Sequence, residues 1–99
     1  MNAAAALRRA LVAAFASDRI IADIAAVRST PWASVTFTGV RHELSMRLSG
    51  PRADELITGL SERELDLPGH ILIDIAATEV GRGGDNRSVK VEALTVAAD

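Results

Sequence analysis

The stretch from Trp32 to Gly50, WASVTFTGVRHELSMRLSG, constrains this chain more than any other. Its apolar residues alternate: Ala33, Val35 and Phe37, then Val40, Leu44, Met46 and Leu48. Alternation at period two marks a half-buried β-strand. Thr38-Gly39 is the natural turn, because glycine accepts positive φ. A two-residue loop there pairs Phe37 with Val40, Val35 with His42 and Ala33 with Leu44. That register gathers the apolar side chains on one face, and a slip of one residue would scatter them. The other face carries Ser34, Thr36, Arg41, Glu43, Ser45 and Arg47.

The flanking segments supply cover for the apolar face. Ala3 to Ala16 predicts a helix with Leu7, Leu11, Ala14 and Phe15 on one side. Ser17-Asp18 breaks the phase, and either residue can cap the next element. Arg19 to Ser29, RIIADIAAVRS, reads equally as continued helix or as a short strand. Its IIADIAAV is echoed by ILIDIAAT at Ile71 to Thr78, and SVTF at Ser34 is echoed by SVKV at Ser88. Pro31 is expected to end either element and to push Thr30 into extended geometry. After Gly50-Pro51 comes a second helix, Arg52 to Arg63, with Ala53, Leu56, Ile57 and Leu60 inward. Pro68-Gly69 is strong turn punctuation.

His70 to Val80 predicts a strand with Ile71, Ile73, Ile75 and Ala77 facing the core. GRGGDN, Gly81 to Asn86, reads as a flexible hairpin loop, and Arg87 to Ala97 as the last strand with Val89, Val91 and Ala93 inward. A right-handed crossover through the second helix makes the strands at 41–48 and 70–80 parallel, with a slot between them. The last strand fills that slot antiparallel to both. The expected fold is therefore α+β: an antiparallel four- to five-stranded sheet with two helices on one face, a rearranged ferredoxin-like layout.

Ninety-nine residues make one domain, 1–99, able to bury roughly two-thirds of its unfolded surface. Phe15, Trp32 and Phe37 are the only aromatics, so the core is shallow and alanine-rich. Cysteine is absent, which removes disulfides and thiolate chemistry and fits a reducing compartment. The net charge of −2 with both signs interspersed gives no basic face for nucleic acid. No apolar run approaches the ~20 residues of a membrane span. In MNAAAALRRALVAAF arginines interrupt the apolar run where a signal peptide would place them before it.

Little in the sequence speaks for catalysis. His42 and His70 are the only histidines, and by parity they point to opposite faces unless a bulge intervenes. No third ligand stands at a metal-like spacing, so no metal or cofactor is expected. GRGGD leads into a strand, whereas a phosphate cradle leads into a helix N-terminus. Arg41, Glu43 and Arg47 read as a solvated stripe, and Asp74 as a charge that blocks unwanted strand packing. The outer sheet face is the anomaly: Leu72, Ala76, Leu94 and Val96 are expected there, where polar residues are the norm. An exposed apolar patch marks a partner surface, and self-association is the first expectation.

ALRRALVAAF, RHELSMRLSG, LDLPGHILIDI and DNRSVKVEALTV, in that order, resemble the small tail-completion, or tail-terminator-like, proteins of tailed phages and gene transfer agents. The segment between first helix and hairpin is compressed relative to that family. The resemblance implies a non-enzymatic structural assembly protein, with partners among its own copies and other tail proteins. Its location would be cytoplasmic or within a virion-like particle. The alternative is a cytoplasmic homodimer that encloses a small ligand between two sheets.

Overall fold

The computed structural model describes residues 2–98. Helix α1 spans Ala3–Ser17. Asn2 caps it by accepting the Ala5 N–H at 2.8 Å, and the helix buries Ala6, Leu7, Leu11 and Phe15 at three- and four-residue spacing. Arg19 ends it at φ +59, and the Ile20 N–H donates back to the Phe15 carbonyl at 2.9 Å. The chain thereby reverses straight into strand β1, Ile21–Ala33.

The ambiguous segment is thus a strand, and Pro31 does not end it. β1 lies at the edge of the sheet, where a residue without an N–H forfeits no ladder bond. Strand β2 is Thr38–Ser49, and its hairpin partner is β1 in the register Ala33 with Thr38, Trp32 with Gly39 and Pro31 with Val40. The turn therefore falls at Ser34 to Phe37 and not at Thr38-Gly39. Ser34 closes it: its N–H donates to the Phe37 carbonyl at 2.7 Å, and its Oγ accepts the Phe37 N–H at 3.1 Å. Val35 and Phe37 belong to the turn and are exposed, so they take no part in the core. Gly39 is needed for space. A Cβ there would collide with the Thr95 carbonyl oxygen and the Trp32 indole, which lies over it.

Helix α2 runs Ala53–Gly59 and tightens into a 3-10 turn, Leu60–Glu62. Together they match the expected span and bury Ala53, Leu56 and Leu60. Strands β3, His70–Gly83, and β4, Asn86–Ala97, form the second hairpin. Its loop is narrower than the glycines suggest, since only Gly84-Asp85 lie outside the strands, and Gly84 takes the positive φ of +58.

The sheet order is β1-β2-β4-β3 with every neighbouring pair antiparallel. β2 and β3 are consequently parallel to each other and flank β4, as the crossover argument requires. α1 and α2 pack on one face, over Leu44, Met46, Leu48, Val89, Val91, Ala93 and Ile75. The fold is α+β, and it has two αββ halves. The IIADIAAV and ILIDIAAT echoes fall on the two edge strands, one in each half. The SVTF echo does not survive, because SVTF is a turn and SVKV is a strand.

Both edge strands are bulged. The register skips Ala25 in β1, and Ile73 and Val80 in β3. A bulge inserts one residue and reverses the alternation beyond it. In β3 the inward residues are therefore Leu72, then Ile75 and Ala77, while Ile71 and Ile73 are about half exposed, at 51% and 55%. The expectation of Ile71, Ile73, Ile75 and Ala77 on one face fails at that bulge.

Candidate functional site

The same bulge places His70 on the helix-covered face, the face of His42, so the parity argument that separated the two histidines does not hold. His42 is wholly buried. Its Nδ1 is 2.8 Å from Ser29 Oγ on β1, and its Nε2 is 2.9 Å from Thr95 Oγ1 on β4. Each hydroxyl can donate or accept, so either neutral tautomer is satisfied. Burial holds the imidazole below its ordinary pKa, and the charge of His70 pushes the same way. A ring sealed from solvent and bonded on both nitrogens ties three strands in register. It is not placed to exchange protons with a substrate. Among the described residues no three His, Asp or Glu side chains gather as a metal site requires.

On the helix-free face, one row crosses all four strands: Trp32, Gly39, Val96 and Ile71. Val96 is nearly buried although no helix covers this face, and the Trp32 indole nitrogen is buried without a hydrogen-bond partner. The next row holds Thr30, Arg41, Leu94 and Asp74, and the one after it Arg28, Glu43, Glu92 and Ala76. The face is thus apolar at one end and charged through its middle. Of the four residues expected on it, Ala76, Leu94 and Val96 are there. Leu72 is not: it lies before the bulge and packs against the core. Ile71 takes its place, a residue that simple alternation assigns inward.

The apolar end continues around the β3 edge into an open groove of about 720 Å³. The connector 61–67 forms one wall and the start of β3 the other, with Ile71, Leu72 and Ile73 among the lining. The rim is acidic through Glu62, Glu64, Asp66 and Asp74. Arg63, the cation in that wall, is committed to Asp18 at the end of α1, and its guanidinium holds the Asp18 carboxyl below the usual range.

GRGGD is fastened by its own Arg82 and by Arg87 just beyond it. Arg87 Nη1 donates to the Gly84 and Asn86 carbonyls at 2.7 and 3.0 Å, and Arg87 Nε donates to Asp54 of α2 at 2.9 Å. Arg82 bonds Glu79 through two nitrogens, at 2.7 and 3.0 Å. Hydrogen bonds from Arg87 and Arg82 lower the Asp54 and Glu79 pKa values respectively. The loop's arginines are thus satisfied by carboxylates and carbonyls, which is anchoring chemistry.

Comparisons with protein-family models, curated proteins and solved structures give no match. Among the described residues no helix is long and apolar enough to cross a membrane.

Proposed function

We propose that this chain is a non-enzymatic assembly subunit that joins copies of itself, as a tail-completion component of a phage-like particle would. One observation carries the reading: the apolar end of the helix-free face, with exposed Ile71 and Ile73, runs into a groove on the β3 edge. Half-exposed isoleucines at the start of a strand leave apolar surface in water, and covering it on association is favourable. The sealed environment of His42 supports the non-enzymatic part of the reading. The link to a phage-like tail rests on the resemblance of ALRRALVAAF, RHELSMRLSG, LDLPGHILIDI and DNRSVKVEALTV alone. A dimer that stacks two sheets around a ligand is less well supported. Such stacking would bury Arg28, Arg41, Glu43 and Glu92 from the middle of the face, at a desolvation cost that opposes it. The test is light scattering on wild type and Ile71→Lys. A wild type above monomer mass, reduced toward monomer by the lysine with unchanged circular dichroism, is expected. A monomeric wild type overturns the reading.

A further inference from the structure

Resting on that assembly reading, the surface that fills the β3 groove can be named. The outward face of α1 is formed by Ala5, Arg8, Arg9, Val12, Ala13 and Ala16. Val12 is 45% exposed there, and the helix AAAALRRALVAAFAS contains no acidic residue. The groove shows the opposite character: four carboxylates outnumber its basic residues, His70 and the Asp18-paired Arg63, and isoleucines line its wall. We propose that the arginine face of α1 in one copy docks into the acidic groove beside β3 in the next.

Three features favour this pairing over others. Charge is complementary, with Arg8 and Arg9 meeting Glu62, Glu64, Asp66 and Asp74. Shape is compatible as well, because alanines flanking Val12 let a helix approach closely, and Val12 finds apolar partners in Ile71 and Ile73. Edge-to-edge strand pairing, the obvious rival, is obstructed by Pro31 and the Ala25 bulge on β1, and by the Ile73 and Val80 bulges on β3. The two surfaces belong to different halves of the fold: α1 packs on β1, whereas α2 and the 3-10 turn pack on β3. Their union is heterologous, so copies join head to tail and close a ring if the rotation permits.

A charge-swap experiment tests this. One variant carries Arg8→Glu and Arg9→Glu, and the other carries Glu64→Arg and Asp66→Arg. All four sites are exposed, and circular dichroism checks that both variants fold. Each variant alone should associate roughly tenfold or more weakly than wild type, because like charges now face each other. Mixing the two restores opposite charges at both kinds of contact, so the mixture should recover association, which an unfolded variant could not do. Wild-type association should also weaken with added salt. Variants that associate like wild type, or a mixture that fails to recover, overturn the docking while leaving assembly standing. A wild type that never associates overturns assembly itself and leaves the groove to a basic segment of another protein.

Discussion

The two αββ halves share a topology and differ in how the helix reaches its strand. In the first, a fifteen-residue helix turns at Arg19 directly into β1. In the second, a seven-residue helix passes through a 3-10 turn and a long connector before β3 begins at His70. The long helix supplies Leu7, Leu11 and Phe15 to the core. The short one supplies Ala53 and Leu56, and its connector leaves the start of β3 uncovered beside a groove. The first helix thus does alone what the second does together with Leu60 of the 3-10 turn and Leu67 of the connector, and the groove opens where that connector takes over from the helix.

Core truncations should expose that asymmetry most strongly. Phe15→Ala should cost about 3–5 kcal/mol and Leu56→Ala no more than about 2–3 kcal/mol, measured by urea unfolding. Equal losses would mean that the short helix anchors its half as firmly as the long one does.

The buried histidine links the halves, since Ser29 and His42 belong to the first hairpin and Thr95 to the second. His42→Ala should cost about 2–4 kcal/mol, from the cavity and from the orphaned, buried Thr95 hydroxyl. Its pH dependence has a definite sign. Unfolded, the ring takes up a proton near its ordinary value of 6.5, and folded only at lower pH. The unfolded chain binds more protons across that window, so stability is fully present above 6.5 and falls as the pH drops toward the folded value. His42→Leu should remove that part of the decline, and a pH profile identical to wild type would contradict the sealed ring.

Gly39→Ala should destabilise by about 1–3 kcal/mol in thermal melts, because its Cβ meets a backbone carbonyl as well as the movable indole. A neutral result would show that β4 can retreat from β2 at that row. Smallest of all should be Ile71→Lys, with a melting temperature close to wild type, because this side chain already faces solvent. Unfolding by that lysine would place Ile71 in the core after all.

How much of this is legible in the sequence depends on position in the sheet. β2 and β4 are central and unbulged, so the alternation of Leu44, Met46 and Leu48 and of Val89, Val91 and Ala93 reads directly as burial. The edge strands resist reading because Ala25, Ile73 and Val80 each shift the phase by one residue. Composition carries no mark of a bulge, and that single shift exchanges Leu72 for Ile71 and moves His70 to the other face. Sequence alone misplaces the hairpin turn because Gly39 has the look of a turn glycine, whereas it makes room for the Trp32 indole and the β4 backbone. Ser34, with both its N–H and its hydroxyl returning to Phe37, is the available signal for the true turn. The groove is invisible in the sequence because it depends on where the connector 61–67 lies in space.

Sedimentation velocity of the wild-type chain over a dilution series from low to high micromolar tests the central claim most directly. Assembly through an exposed β3 start predicts a weight-average sedimentation coefficient that rises with concentration above the monomer value. A single monomeric boundary at every concentration would contradict it.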